Sequence, residues 1–152
     1  MFILNISTDI AGLIVDFLLI DTALNLANTC QTLSQTMATS TQVWNRVSGL
    51  HFPRDQFTDQ NLKKLIPRCP NVKIIALAPV QTNNTRCNSL TDNGLRTITN
   101  GSPQLQWISL EACGFFSTAS LAYLISRCRH LSYINLDSCW QVSNLAILAV
   151  AS

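Results

Sequence analysis

Six cysteines and two histidines carry most of the chemical potential of this chain: Cys30, Cys69, Cys87, Cys113, Cys128, Cys139, His51 and His130. A structural zinc site needs four converging nitrogen or sulfur ligands, commonly supplied in part by a C-x-x-C pair, and the sequence contains no such pair. A cysteine nucleophile needs a histidine within hydrogen-bond reach. His51 and His130 stand in turn-like stretches and share no local motif with a cysteine. Several of the cysteines recur at equivalent points of a repeated stretch, which suits small, weakly polar, buried side chains. The expectation is reduced thiols with no catalytic role, no metal and no cofactor.

The repeated stretch positions everything else. Leu105-x-x-Ile108-x-Leu110-x-x-Cys113 matches Leu131-x-x-Ile134-x-Leu136-x-x-Cys139 in spacing and residue class, position for position. A third copy, Val72-x-x-Ile75-x-Leu77-x-x-Val80, lies upstream at a longer offset and replaces the cysteine with valine. The extra residues fall in a polar stretch, Gln81 to Ser89, which reads as a loop on one rim of the repeat array. Phe57-Thr58-Asp59, Leu90-Thr91-Asp92 and Ser117 each precede an apolar pattern of helical spacing, and Asp59 is placed to cap the first helix. Val142-Ser143-x-Leu145-x-x-Leu148 begins a further helix. Turns at Cys69-Pro70, Ser102-Pro103 and Cys128-Arg129 lead into the strands.

A repeat of this length built on L-x-x-L-x-L-x-x-N/C resembles the leucine-rich-repeat family, of the cysteine-containing subtype. The resemblance implies one short parallel strand and one returning helix per unit, strands on a concave face and helices outside. In such a strand the leucines point inward and the residues between them outward. Three outward columns follow: Ile74, Trp107 and Tyr133; Ala76, Ser109 and Asn135; Ala78, Glu111 and Asp137. Trp107 and Tyr133 become neighbours on an exposed face, where aromatic side chains are frequent binding anchors. Glu111 beside Asp137 sets two carboxylates on adjacent strands, where they repel unless a cation joins them, and a basic group on a partner would do so. A general acid and base pair would need a closed pocket and a third group, and nothing nearby in the sequence supplies one. The partner-binding candidates are therefore Trp107, Tyr133, Ser109, Asn135, Glu111 and Asp137. For Trp140, in the rim loop after Cys139, core, rim contact and simple exposure all remain open.

Composition agrees with a folded chain. Hydrophobic residues make up 47% of it, charged residues only 12%, and mean hydropathy is +0.22, which together disfavour a solvated, disordered polymer. At 152 residues there is room for a small module followed by a short repeat array. Residues 1–45 hold three aspartates and no base, and the remainder holds ten bases and five acids, so a net −3 is followed by a net +5. That positive charge is too thinly spread to predict a nucleic-acid partner. Asp9, Asp16 and Asp21 interrupt the apolar N-terminal stretch, and no Lys or Arg precedes Arg46. Neither a signal peptide nor a membrane span is expected, and the cytoplasm or nucleus is the expected location.

Residues 6–19 place Ile6, Ile10, Leu13, Ile14, Phe17 and Leu18 at helical spacing, with Ser7 or Thr8 as a cap. Leu24, Ala27 and Cys30, or Leu26 and Leu33, with Met37 form a second stripe, and Val43, Trp44 and Val47 a third. Over residues 4–48 this order resembles an F-box, the motif that binds the SKP-type adaptor of cullin-RING ubiquitin ligases. Ile6, Asp9, Ile14, Phe17, Leu18, Leu24, Cys30 and Trp44 occupy matching positions. The sequence departs from the family at Ser7, where proline is usual, and at Leu33, where a large aromatic is common. The family likeness implies adaptor binding through Ile6, Ile10, Ile14, Phe17, Leu18, Leu24, Cys30, Leu33 and Trp44.

The resulting expectation is an α/β chain with three parts: a three-helix F-box-like module at 1–48, a connector at 49–56, and about three and a half leucine-rich repeats forming a short solenoid at 57–152. Its implied partners are the SKP-type adaptor, the cullin and RING subunits reached through it, and a protein substrate. A plain repeat binding module, or a pathogen effector imitating a host F-box protein in the host cytoplasm, fits the same residues. A cysteine enzyme is the remaining class, and the chain is expected not to be one.

Overall fold

The computed structural model describes residue 35 and residues 41–77 and 87–142. The candidate residues Ile6, Ile10, Ile14, Phe17, Leu18, Leu24, Cys30 and Leu33 lie outside these, as do most of the 81–89 insertion and the helix expected after Val142. The described elements run in the order α1 (Thr41–Asn45), β1 (Gly49–Phe52), α2 (Asp59–Leu65), β2 (Ile74–Leu77), β3 (Cys87–Thr91), α3 (Asp92–Gly101), β4 (Trp107–Ser109), β5 (Cys113–Phe115), α4 (Thr118–Arg127) and β6 (Tyr133–Asn135). This is a mixed α/β arrangement in which the described strand pairs are all parallel.

Four strands form the main sheet in the order β1-β2-β4-β6. Its register is regular: Gly49 pairs with Ile74, Ile74 with Trp107, and Trp107 with Tyr133. The stretch expected as a connector at 49–56 is instead the first strand, followed by a single 3-10 turn at Arg54–Gln56. Its reason is the same alternation that builds the other strands. Leu50 and Phe52 point inward and are buried, while His51 between them is exposed.

Helices α2, α3 and α4 pack side by side behind the sheet. Between the two layers lie Leu50, Ile75 and Ile108 from the strands and Leu62, Leu95, Ile98, Leu121 and Leu124 from the helices, none more than 2% exposed. Each fully buried Leu or Ile contributes roughly 1.5–3 kcal/mol relative to exposure, so this shared seam supplies most of the driving force. Phe57, Leu90 and Phe116 close the seam at the strand-to-helix turns, and Val43, Trp44 and Val47 close the end beside β1. At the far edge, β6 has one neighbour among the described strands, and its Ile134 and the following Leu136 are partly buried.

Consecutive units are also joined by polar ladders. Thr58, Thr91 and Ser117 are the helix N-caps, each accepting a backbone N–H of the first turn. Asp59 is thus not the cap. Its carboxylate accepts from the N–H and Oγ1 of Thr91, at 2.9 and 2.5 Å, tying the start of α2 to the cap of α3. Asp92 repeats the arrangement one unit later, accepting from Ser117 N, Ser117 Oγ and Ser120 Oγ at 2.5, 2.9 and 2.6 Å. These bonds hold the Asp92 carboxyl below its ordinary value of 3.8, chiefly through Ser120 and then the Ser117 amide.

The second sheet is small, pairing β3 with β5 in the register Cys87 to Cys113. It corrects the sequence reading of the upstream repeat. The cysteine is displaced and not lost: Cys87 precedes Cys113 by the same interval that separates Cys113 from Cys139. The insertion therefore falls ahead of Cys87, whose backbone belongs to a strand and not to a loop. Just before Cys113 and Cys139, Ala112 and Ser138 adopt positive φ of 56° and 60°, so both turns use the same left-handed step.

Candidate functional site

The face of the main sheet opposite the helices carries the first column. Ile74 is 41% exposed and Tyr133 48% exposed, with the half-buried Trp107 between them in register. The Trp107 and Tyr133 rings stack at 5.1 Å with planes only 5° apart. That spacing is close to the strand separation, so the rings lie face to face along the sheet. The column presents a continuous apolar ridge.

The second column behaves differently from the expectation that it would be displayed. Ser109 is 4% exposed and Ala76 7% exposed. Asn135 is half-buried, and its side-chain oxygen accepts the Asp137 N–H at 2.9 Å while its carbonyl accepts the Leu110 N–H. Of this column only Asn135 retains surface, and part of its polar capacity shapes the turn after β6.

The third column is also corrected. The cation expected from a partner is already present in the chain: Arg54, from the 3-10 turn after β1, donates from Nη1 to the Glu111 carbonyl at 2.8 Å. Its Nη2 lies 3.0 Å from Glu111 Oε1 as an ion pair, without the alignment of a hydrogen bond, and Nε has no acceptor among the described residues. The Arg54 side chain is 4% exposed and that of Glu111 37%. Arg54 carried no signal in the sequence, since a lone arginine after a strand reads as solvated. The Asp137 side chain is exposed.

Trp44 is 4% exposed, within the core cluster, and the Arg68 guanidinium carbon sits 5.6 Å from its ring centroid. Trp140 resolves as an exposed residue, 51% accessible, lying edge-on to Phe115 at 5.9 Å and covering Gly114 so closely that a Cβ there would collide with the indole. No sequence signal identified Phe115 as its companion.

The five described cysteines, Cys69, Cys87, Cys113, Cys128 and Cys139, are free and buried. Their partners are structural: Cys139 Sγ donates to the Leu110 carbonyl at 2.9 Å and Cys87 Sγ to the Phe57 carbonyl at 3.5 Å. Cys87 and Cys113 pair in register, so their thiols interact as a hydrogen-bonding pair in setting each other's ionisation. That bond, then burial, raises Cys113, and the same bond lowers Cys87 against the opposing effect of its burial. Burial pushes Cys69 up to about 12 and Cys139 to about 11. Thiols so shifted are poor nucleophiles near neutral pH. His51 and His130 are exposed. Among the described residues, no three His, Cys, Asp or Glu side chains are placed to share a metal ion, and no helix is long and apolar enough to cross a membrane.

The exposed apolar surface on the main sheet is thus the Ile74–Trp107–Tyr133 ridge. No protein-family model matches the chain, and no curated protein matches it.

Proposed function

We propose that the chain is a substrate-recognition adaptor of an SCF-type ubiquitin ligase, in which residues 4–48 act as an F-box and the units beyond them as leucine-rich repeats. The adaptor itself would perform no chemistry. It would hold a SKP-type subunit, and through it the cullin and RING subunits, while the sheet holds a protein target. The observation that carries the binding half is the uncovered ridge of Trp107 stacked on Tyr133 beside Ile74. Large apolar side chains left exposed on an ordered sheet are characteristic of recognition surfaces. The repeat reading is supported by four parallel strands in constant register, one helix behind each inter-strand step, and cysteines recurring at one fixed interval at Cys87, Cys113 and Cys139. The ligase half rests on the sequence likeness of residues 4–48.

The test is co-purification of the full chain with a SKP-type adaptor and cullin from eukaryotic lysate. Association is expected, and it should disappear when Ile14, Phe17 and Leu18 are replaced together by charged residues. Undiminished association of that variant would overturn the F-box assignment. A second reading, a repeat binding module without a ligase role, is favoured by Trp44, whose burial suits a residue that caps the core and not one that meets a partner. A well-folded sample that fails to bind the adaptor would establish it.

A further inference from the structure

The described acids and several of the described bases are sorted to opposite edges of the main sheet, with Arg54 among the acids and Lys63, Lys64 and Arg96 on the helices. All five described acids, Asp55, Asp59, Asp92, Glu111 and Asp137, occupy the edge where strands lead into helices. The opposite edge, where helices lead back into strands, carries Arg46, Arg68, Lys73, Arg127 and Arg129, and none of the described acids. Part of this sorting serves the helices, whose N-termini favour acids and C-termini bases. Lys73 and Arg129 are outside that explanation. Both are exposed and lie beyond the helix ends, Lys73 directly before Ile74 and Arg129 shortly before Tyr133. Lys73 adjoins Ile74 in sequence and Arg129 stands four residues before Tyr133, the two outer members of the apolar ridge.

On the acidic edge Asp59 and Asp92 are committed to cap ladders and Glu111 to Arg54, while Asp55 and Asp137 are exposed. Ile74, Trp107 and Tyr133 are the first residues of their strands, so the ridge lies beside the basic edge and the exposed charges nearest it in sequence are Lys73 and Arg129. We propose that the sheet binds an acidic peptide segment with an apolar anchor: the anchor packs on Ile74, Trp107 and Tyr133, and flanking carboxylates pair with Lys73 and Arg129. This rests on the reading of the sheet as a protein-binding face and specifies its partner. A nucleic acid fits less well, since the stacked rings already cover one face of each other and leave little platform for successive bases.

The experiment uses the full chain and dye-labelled peptides followed by fluorescence anisotropy. The first peptide alternates Glu with a central Phe-Leu anchor, the second replaces Glu by Lys, the third replaces the anchor by Ser, and a single-stranded oligonucleotide is the fourth probe. The first should bind at low salt and weaken as salt rises, with the second and third at least about tenfold weaker. Lys73→Glu, Arg129→Glu and Tyr133→Ala should each weaken the first peptide by about tenfold or more, whereas Lys63→Glu on the helical side should leave it unchanged. The two charge reversals are at exposed positions, so they decide the matter even if Tyr133→Ala loses its fold. Equal binding of acidic and basic peptides, indifference to Lys73→Glu and Arg129→Glu, or tighter binding of the oligonucleotide would overturn the proposal. Adaptor co-purification, read on the same samples, separates the two conclusions. Adaptor retained without peptide binding overturns this inference alone, and peptide binding without the adaptor overturns the ligase assignment alone.

Discussion

Individual side chains in this protein are placed by what their neighbours leave unsatisfied. Ser102 is fully buried, with a hydroxyl that lacks a hydrogen-bond partner among the described residues, at the helix-end position that Cys69 and Cys128 hold in the adjoining units. A thiol bears desolvation better than a hydroxyl, so Ser102→Cys should stabilise the fold by about 1 kcal/mol, read as a higher urea midpoint at unchanged slope. Arg54 poses the reverse problem, a buried cation compensated by one half-exposed carboxylate and one carbonyl. Removing that carboxylate in Glu111→Ala leaves the guanidinium underpaired and should cost about 1–2 kcal/mol, less than a fully buried pair because water reaches Glu111. A variant as stable as the parent in chemical denaturation would show that Arg54 finds its compensation elsewhere.

At the scale of elements, stability depends on the carboxylates that join one helix start to the next. Gly94 in α3 faces Asp59, and an added Cβ would collide with its Oδ1 and stand 2.6 Å from Leu90 Cδ1. Helix propensity alone would make Gly94→Ala favourable by about 1 kcal/mol. Because Thr91 holds Asp59 in place, the clash should prevail, giving a net loss of about 1–2 kcal/mol. In an Asp59→Ala background much of that loss should vanish, and a double-mutant cycle with no coupling would refute the contact. Asp92→Asn should cost about 1–2 kcal/mol at pH 7, since three donors lose an ionised acceptor. Its folded carboxyl lies below the ordinary 3.8, so this contribution is complete above that pH and is lost as pH falls through the lower folded value. Thermal melts of parent and variant should therefore converge in acid and diverge toward neutrality.

Taken as a whole molecule, the stack buries its thiols where reagents reach them only through opening. At pH 8, thiols raised to about 11 or 12, as at Cys139 and Cys69, are ionised in roughly one molecule in a thousand or fewer. Alkylation at Cys69 and Cys139, mapped by mass spectrometry, should thus be slow in buffer and accelerate with sub-denaturing urea. A fast-reacting thiol among them would contradict the packing and reopen the cysteine-enzyme class. The same stacking makes the ridge a composite surface: Ile74, Trp107 and Tyr133 come from three strands, and none of them has an apolar neighbour across the sheet until the register is fixed.

By itself the sequence determined the local pattern. Its repeated spacing, alternating apolar positions and polar caps dictated parallel strands with helices between them, and so brought Trp107 beside Tyr133, because side-chain direction in a strand follows from position alone. The strand at Gly49–Phe52 was read as a connector, since so short a run, alternating once, is hard to separate from a turn containing Gly and Pro. Tertiary structure alone decided which outward positions remain outside. The burial of Ser109, the reach of Arg54 to Glu111 and the pairing of Cys87 with Cys113 depend on groups far apart in sequence and joined by the stack. Burial and charge pairing are properties of the neighbours on all sides, and a linear spacing specifies only the neighbours along the chain.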